Sequence, residues 1–387
     1  MNVAYFHHSG DLYGSSKSLL YLLCEMKKRG VRPLVVLAED GPFHLALKDR
    51  GFEVALVEEI PVLRRKIFRS RTNFITFLQG FTRSFSKIKN ILRDNDIDII
   101  HSNDLVIGVL PGMVSFLLKT PHVWHIRSNI SEFKIVTYPM RWLVLSLSTV
   151  LIGVSKSVLG QFGRNGAATI RLVYNGLPHE VIERLLPYDA NFRSIHGISE
   201  DDLVVCCVGR INGWKGQEFL ARAFASIQNE LPASVKLLFV GDAYAGSEFY
   251  QNQLEDQIER LGIGHRTVHI SFVSDIRSVY EAIDILVVPS MTPEPFGLVV
   301  VEGMAYNCPI IAANHGGPSE ILQDHVTGLL YAPDDVQGLA QRIKQLVYDE
   351  GFRKELGHNA REFMATAFSI NETAEKVYAI YQSCLNR

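Results

Sequence analysis

Cysteine is scarce in this chain of 387 residues, and its five cysteines show no C-x-x-C spacing. This scarcity excludes a disulfide framework and a cysteine-based zinc site, and it favours a reducing compartment such as the cytosol. No basic segment followed by a long apolar core opens the chain, so no secretory signal is predicted. The best candidate for a membrane span, 143–154, is shorter than the roughly 20 apolar residues that a span needs. A buried helix leading into a strand is predicted there instead.

Two common phosphate-binding motifs are also absent. The segment YGSSKS at 13–18 lacks the P-loop spacing, in which lysine follows the second glycine directly. No G-x-G-x-x-G follows the first predicted strand, so a nicotinamide enzyme is disfavoured together with a P-loop kinase or ATPase. The Asp-x-Asp pattern within 94–98 is interpreted as a polar turn at the entry to a strand rather than as a metal site, and no metal site is predicted.

What the chain does contain is an alternation of apolar strands and amphipathic helices, with 47% hydrophobic and 21% charged residues. Strands that are apolar throughout and separated by helices predict parallel sheets covered on both faces. Predicted strands lie at 2–8, 32–39, 52–58, 96–103, 120–128, 149–155, 203–211, 235–242, 267–273, 284–290 and 308–314. In the C-terminal part, the last predicted helices are 297–306, 336–348 and 369–385.

The pattern breaks near 178–187, where glycine and proline interrupt it. We therefore predict an α/β protein of two doubly wound, Rossmann-like domains that face a central cleft. The first is an acceptor-side domain, 1–180, on which a C-terminal helix at 371–387 packs back; the second is a donor-binding domain, 181–370. Ligands of such sheets bind at the carboxyl ends of the strands.

Charge is divided unevenly between the halves, although the whole chain carries only −2. Residues 1–180 have 23 basic and 14 acidic residues, and residues 181–387 have 16 and 27. This split indicates that the first half faces an anionic partner.

The most informative motif is EPFGLVVVEGMA at 294–305, just after a predicted strand. Gly297 opens a helix, whose N-terminus offers unpaired N–H groups and partial positive charge to a phosphate. Glu294 is placed to accept hydrogen bonds from sugar hydroxyls, and Glu302 to hold the two hydroxyls of a ribose. The alternative is that both glutamates merely flank a helix start.

A second motif, VGRINGWKG at 208–216, places Arg210 and Lys215 on a glycine-bounded loop after a strand. Two cations at this spacing suit a diphosphate, since arginine grips it with two hydrogen bonds and lysine acts as a point charge. The alternative is a solvated basic loop.

Together these motifs resemble the family 4 retaining glycosyltransferases, which have the GT-B fold and use nucleotide-sugar donors. The match covers nearly the whole chain, including YNG at 174–176 and HGGPSEIL with GLLYAPDD within 315–335. It implies that Glu294 contacts the donor sugar, Glu302 the ribose, and Arg210 with Lys215 the diphosphate. It also implies that the backbone around Phe296, Gly297 and Leu298 contacts sugar or phosphate.

In the first half the resemblance is looser. His125 of HIRS corresponds to a histidine beside the donor sugar, and His101 to a histidine of less certain role. The family commonly has Gly-Gly-x-Glu after its first strand. This chain has Tyr13-Gly14-Ser15-Ser16, in which Gly14 keeps the phosphate-facing position and the glutamate is missing. This departure concerns the acceptor side, and 57–100 and 128–150 match nothing specific.

The resemblance implies a glycosyltransferase of the hexosyltransferase type that retains anomeric configuration, needs no metal or other cofactor, and binds no nucleic acid. Its partners are a nucleoside-diphosphate sugar and a glycan or lipid-linked acceptor, in the biosynthesis of a polysaccharide, glycan or glycolipid. The alternatives are a GT-B nucleotide-sugar epimerase and a non-catalytic carbohydrate-binding protein. The sugar, the base, the acceptor and the oligomeric state stay open.

One segment lacks acidic residues altogether. Residues 61–93 contain nine lysines and arginines, interleaved with apolar and aromatic residues, and no Asp or Glu. Such a basic amphipathic segment favours an anionic membrane surface, which would make the protein cytoplasmic and peripheral to the membrane. A groove for an acidic glycan and an ordinary solvated helix face remain alternatives.

Overall fold

The computed structural model describes residues 1–60, 71–130, 137–163, 168–185, 187–244 and 246–386, with the backbone alone for 71–74 and 76–78. The chain divides into two compact units. The first unit comprises Met1–Gly176 together with Ile370–Arg387, and the second comprises Leu177–Ser369.

Each unit is built on one parallel sheet, as the apolar strands predict. The strands are β1 (Asn2–His7), β2 (Arg32–Leu37), β3 (Glu53–Leu56), β4 (Ile99–Asn103), β5 (His122–Ile126), β6 (Val150–Gly153), β7 (Thr169–Leu172), β8 (Leu203–Val208), β9 (Val235–Val240), β10 (Thr267–Ile270), β11 (Ile285–Val288), β12 (Ile310–Ala313) and β13 (Leu329–Tyr331). Their order is β3-β2-β1-β4-β5-β6-β7 in the first sheet and β10-β9-β8-β11-β12-β13 in the second. The predicted pair of Rossmann-like α/β domains is confirmed.

Helices connect the strands. They are α1 (Gly14–Lys28), α2 (Pro42–Asp49), α3 (Arg71–Asp94), α4 (Val109–Leu118), α5 (Thr137–Leu147), α6 (Lys156–Gly160), α7 (His179–Ile182), α8 (Phe192–Ile195), α9 (Gln217–Ile227), α10 (Phe249–Arg260), α11 (Ile276–Glu281), α12 (Leu298–Ala305), α13 (Pro318–Ile321), α14 (Val336–Tyr348), α15 (Glu350–Ala367) and α16 (Ile370–Leu385). Short 3-10 turns follow α9 and α10.

Both faces of the first sheet are covered. Leu19 and Leu23 of α1 and Val377 of α16 pack in one apolar cluster against β1 and β2. Ile88 of α3 and Val114 of α4 pack in another cluster, with different residues of the same strands. Because successive side chains of a strand point to opposite faces, one buried strand serves both clusters.

Each sheet has a topological switch point, at which successive strands stop being added on one side of the first strand and start being added on the other. In the first sheet the switch lies between β1 and β4, and in the second between β8 and β11. Loops that leave these neighbouring strands in opposite directions open a crevice at their carboxyl ends. The candidate residues of both halves lie on or beside those strands.

Candidate functional site

The site in the second unit centres on a lysine–glutamate pair at the switch point of its sheet. Lys215 follows β8 and Glu294 follows β11, and these two strands are neighbours. Lys215 Nζ donates to Glu294 Oε1 at 2.8 Å, and the side chains are only 17% and 4% exposed. The hydroxyl of Ser290 also donates to Oε1. Two of the residues predicted from sequence are therefore in direct contact, although 79 positions separate them.

The lysine loop is shaped by its own small residues. The Asn212 side-chain oxygen accepts the backbone N–H groups of Trp214 and Lys215, which forms a turn of the kind that asparagine favours. Gly216 has a φ of +79°, and a Cβ placed there would lie 1.9 Å from the carbonyl oxygen of Pro289. The Lys215 loop and the loop after β11 thus touch through a glycine that no larger residue replaces.

A pair of glycines, Gly316 and Gly317, packs against the backbone of Glu294. The backbone N–H of Gly317 donates to the Glu294 carbonyl at 2.8 Å, and a Cβ at Gly316 would lie 2.5 Å from that carbonyl oxygen. His315 Nε2 lies 2.8 Å from the Ser290 carbonyl, and since a carbonyl only accepts, this nitrogen carries the proton. The HGG segment therefore fixes both ends of the loop that presents Glu294.

Helix α12 begins directly after this loop. Its N-cap is Gly297, at a φ of +91°, so the helix starts at Leu298, one residue later than predicted. Phe296 is buried and packs edge-on against Phe368 at 6.1 Å between ring centroids. The first four backbone N–H groups of an α-helix have no intrahelical acceptor. The start of α12 therefore places hydrogen-bond donors and partial positive charge beside Glu294.

Glu302 lies deeper, on the buried side of α12. The hydroxyl of Tyr280 donates to Glu302 Oε2 at 3.1 Å. Burial, aided by the carboxylate of Glu302, raises the pKa of Tyr280 well above its usual value, so the phenol keeps its proton and remains a donor. The two glutamates of the motif thus have different partners: a cation for Glu294 and a neutral phenol for Glu302.

Arg210 stacks on an aromatic ring that the sequence did not single out. Its guanidinium carbon lies 3.6 Å from the centroid of Tyr244, which follows β9. Stacking on a ring face orients a guanidinium and leaves its edge for an anion. Ser290, Asn212 and His315 were missed as well. Asn212 and Ser290 act within their own loops, where the only local signal is a short polar side chain just beyond a strand. The role of His315 depends on β11 and β12 being neighbours.

The candidate histidine of the first unit, His125, lies in a buried polar network. His125 of β5 pairs in register with Asn103 of β4, and Arg127 Nε donates to the Asn103 side-chain oxygen at 2.6 Å. Asn103 also donates to His7 Nδ1 at 3.0 Å, and His7 Nε2 faces the Ser16 hydroxyl at 2.9 Å.

His125 lies fully inside this network. Arg127 approaches its Nδ1 at 3.5 Å as a donor, which assigns the ring proton to Nε2. Among the residues that the structure describes, His125 Nε2 has no hydrogen-bond partner, and the same holds for His101 Nε2. Burial, and next the Arg127 charge, holds the pKa of His125 well below its ordinary value, so the ring is neutral at pH 7.

Gly14 is the first residue of α1 and is exposed, whereas Ser16 is buried against His7. The serine at the place of the family's glutamate therefore serves the buried network. Within the described parts of the chain, no group of three or more His, Cys, Asp or Glu side chains is arranged to hold a metal ion. Asp98 instead accepts the backbone N–H of Asn2 at 2.7 Å, at the amino end of β4.

Burial of neutral histidines makes the first unit sensitive to acid. Burial lowers the pKa of His7, His101 and His125 well below the ordinary value and that of His122 to about 4. Below about pH 6.5 the unfolded chain binds protons at these positions and the folded chain does not. The free energy of unfolding is therefore expected to fall with decreasing pH, by up to about 1.4 kcal/mol per pH unit for each histidine.

Urea unfolding at several pH values between 7.5 and 5 checks this expectation. His122→Asn should flatten the slope, because it removes one titratable group. It should keep the fold, because the asparagine amide can still donate to the Leu147 carbonyl that His122 Nδ1 contacts at 2.7 Å. The exposed His358, replaced by glutamine, is the control and should leave the slope unchanged. A free energy of unfolding that stays constant over this range would contradict the neutral, buried state.

Comparison with known proteins places both halves of the chain. Residues 189–363 match the family model described as glycosyl transferases group 1, and residues 13–181 match glycosyltransferase family 4. An uncharacterized glycosyltransferase of Methanocaldococcus jannaschii is 26% identical over 81% of this chain and 82% of its own. The capsular polysaccharide biosynthesis glycosyltransferase CapM of Staphylococcus aureus is 26% identical over 74% and 77%.

Solved structures agree in fold. HepE of Anabaena, in complex with UDP and glucose, superposes with a TM-score of 0.81 over 98% of this chain and 99% of its own, at 24% identity. Sucrose-phosphate synthase of Thermosynechococcus elongatus has a TM-score of 0.80 over 100% and 99%, at 21% identity. The fold is thus the GT-B fold of glycosyltransferases. The chain itself belongs to glycosyltransferase family 4, through the group 1 match of its second half and the family 4 match of its first.

Proposed function

We propose that this protein transfers a sugar from a nucleoside-diphosphate sugar to an acceptor hydroxyl, with retention of anomeric configuration and without a metal ion. The observation that carries the proposal is the Lys215–Glu294 pair at the switch point of the second sheet, next to the start of α12. A buried cation, a buried carboxylate and a donor-rich helix end suit the phosphate and the hydroxyls of such a donor.

The proposed catalysis is electrostatic. As the bond from the sugar to the diphosphate lengthens, negative charge builds on the phosphate oxygens, and preorganised donors aimed at that charge lower the barrier. Lys215, Arg210 on the Tyr244 ring, and the first N–H groups of α12 are assigned to the diphosphate. The leaving phosphate takes the proton of the acceptor hydroxyl on the same face of the sugar, which gives retention.

The proposed sugar contacts are Glu294 and His125, and the proposed ribose contact is Glu302. Both donors to Glu294 meet Oε1, and among the described residues none donates to Oε2, which suits a sugar hydroxyl as the missing donor. No part of His125 is exposed, so its contact with a sugar requires a rearrangement around the ring. Phe296, Gly297 and Leu298 contribute backbone groups, and Gly14 lends a backbone N–H to phosphate.

The biological setting belongs to the same proposal. CapM is named for capsular polysaccharide biosynthesis, which supports a glycan or lipid-linked acceptor and a cytoplasmic enzyme at the membrane face. The structure of HepE with UDP and glucose favours a UDP-sugar as the first donor to try. A nucleotide-sugar epimerase is the second candidate, because it would use the same diphosphate contacts.

A thermal-shift panel of UDP-, GDP- and ADP-sugars tests donor binding, since a ligand raises stability by RT ln(1 + [L]/Kd). The cognate donor should raise Tm in wild type and not in Lys215→Ala. Reaction products, analysed by NMR for anomeric configuration, then separate transfer with retention from epimerisation. A protein that no nucleotide sugar stabilises would contradict the proposal.

Activity is expected to survive EDTA, because two cations and a helix end take the place that a divalent ion holds at many diphosphate sites. Transfer is measured with the chelated protein before and after Mg²⁺ or Mn²⁺ is added back. Complete loss in EDTA with rescue by Mn²⁺ would overturn the metal-independent mechanism.

A further inference from the structure

Three helices on one side of the first sheet leave an apolar outer face. Helix α4 lies between α3 and α5 and contacts both. The inner sides of the three helices are buried, with Ile88 of α3, Val114 of α4 and Val144 of α5 as examples. Because the sheet covers only these inner sides, apolar residues on the outer sides of the helices are not explained by the core.

The outer sides of α4 and α5 carry large apolar and aromatic residues. The α4–α5 face, as we call it, consists of Met113, Phe116, Leu117, Tyr138 and Trp142. On α4 these residues stand at positions i, i+3 and i+4, and on α5 at i and i+4, so each helix presents them on one side. Phe116, Tyr138 and Trp142 are 82%, 80% and 71% exposed. A concentration of such side chains marks an interaction surface, whereas single exposed hydrophobics need no explanation.

The same three helices are almost without negative charge. Helices α4 and α5 contain no acidic residue, and α3 contains only Asp94, its last residue. Exposed cations lie on α3, at Arg83 and Lys87, and at Lys119 just after α4. The surface is therefore basic as well as apolar, which is the charge that complements an anionic partner.

We propose that the α4–α5 face docks onto the surface of an anionic lipid bilayer. Tryptophan and tyrosine favour the boundary between headgroups and acyl chains, because their rings are apolar with one polar group. Phenylalanine, leucine and methionine enter the acyl region, and lysine and arginine extend their charges to the headgroups. No described helix is long and apolar enough to cross a membrane. In the proposed contact, α4 and α5 lie on the bilayer surface.

A second copy of the chain fits this face less well. A two-fold dimer would bring the same patch against itself, so Arg83, Lys87 and Lys119 would meet like charges. A bilayer that contains anionic lipid supplies the opposite charge together with an apolar interior. Residues 61–70, the most basic part of the segment predicted to bind membranes, lie outside the described residues, and the proposal does not depend on them. It does not depend on donor chemistry either.

Vesicle co-sedimentation tests the proposal with phosphatidylcholine vesicles that contain increasing phosphatidylglycerol. Wild type should bind more tightly as anionic lipid increases, and less tightly at high salt. The variant Phe116→Ser/Trp142→Ser should bind at least about tenfold more weakly, because it removes two inserted rings. Brominated lipids should quench Trp142 fluorescence, and Trp142→Phe should remove that quenching.

A control variant, Leu45→Ser/Ile195→Ser, removes two exposed apolar residues on other helices and should bind like wild type. Donor-induced thermal shifts of the Phe116/Trp142 variant should match those of wild type, which separates loss of docking from loss of fold or of donor binding. Three results would overturn the proposal: unchanged vesicle binding by the Phe116/Trp142 variant, no binding by wild type, or a dimer in solution that this variant dissociates. In the case without vesicle binding, equal binding of wild type and variant to soluble dextran sulfate would assign the basic residues beside the face to an acidic glycan.

Discussion

Replacing Lys215 with alanine is expected to lower kcat by about a hundredfold or more, the scale for the loss of one group that stabilises transition-state charge. In the structure the Lys215 ammonium is already placed by Glu294 and by the Asn212 turn, so it needs no reorganisation when the phosphate charge develops. Arg210→Ala is expected to have an effect of similar size. Turnover with a nucleotide-sugar donor under saturating conditions measures both.

Stability must be separated from chemistry in this experiment. Removing Lys215 leaves the carboxylate of Glu294 buried without its cation, and breaking a buried pair costs about 3–5 kcal/mol. The double variant Lys215→Met/Glu294→Gln removes both charges and should recover most of the free energy of unfolding. It should not recover turnover, because neither new side chain stabilises phosphate charge.

The matched control is the exposed lysine–glutamate pair Lys344–Glu230 of the same unit. Lys344→Ala should change both turnover and stability little, as is usual for surface pairs. If Arg210→Ala and Lys215→Ala each lowered kcat by less than about threefold, the diphosphate assignment would be wrong.

The fold was largely predictable because both units repeat one pattern. Runs such as 203–211 and 235–242 are apolar on both faces, which only a sheet covered by helices on both sides accommodates. Helix α15, Glu350–Ala367, was not predicted. Its exposed faces are rich in charge, and its few buried positions, such as Leu356 and Met364, form a weak stripe between two stronger helical patterns.

The candidate site was predictable to the extent that its residues are contiguous in sequence. Glu294, Gly297 and Glu302 belong to one loop and helix, and their relative placement follows from helical geometry. That Lys215 contacts Glu294, or that Arg210 lies on Tyr244, depends on the strand order β9-β8-β11. Strand order is a long-range property that no local spacing encodes.

The burial of the histidines could not be predicted from the sequence either. A histidine near a strand end could be exposed for catalysis or buried for structure. His101 and His125 proved to be completely buried, beside the buried Arg127. Arg127 attracted no notice in the sequence, yet its hydrogen bond to Asn103 holds β4 and β5 together where His125 lies.

Glu294→Gln and Glu302→Gln are expected to affect different kinetic constants, although the two residues belong to one motif. Glu294 is proposed to contact the sugar, whose charge changes in the transition state. Losing an interaction that is stronger in the transition state lowers kcat. We expect a decrease of about a hundredfold for Glu294→Gln. Glu302 is proposed to hold the ribose equally in the ground and transition states, so its loss should raise KM and leave kcat nearly unchanged.

Glutamine keeps an acceptor oxygen at both positions. At 294 the amide oxygen can still accept from Lys215 and Ser290, and at 302 from the Tyr280 hydroxyl. At 302 Tm should change little, whereas at 294 it should fall because the buried Lys215 ammonium loses its counter-charge. Circular dichroism and Tm therefore accompany the kinetics, which are measured below the Tm of each variant. Glu230→Gln, at the exposed pair, is the control and should change neither constant.

The decisive measurement is a full set of kcat and KM values against donor concentration for the three variants. A lower kcat for Glu302→Gln together with a raised KM alone for Glu294→Gln would exchange the proposed roles. Equal losses at both positions would contradict the division between them, because a purely structural role would lower stability, lower kcat and raise KM together. The expected division instead follows from the different contacts of the two carboxylates. Glu294 is buried against the Lys215 cation, where the proposed mechanism develops charge, and Glu302 accepts a hydrogen bond from a neutral phenol.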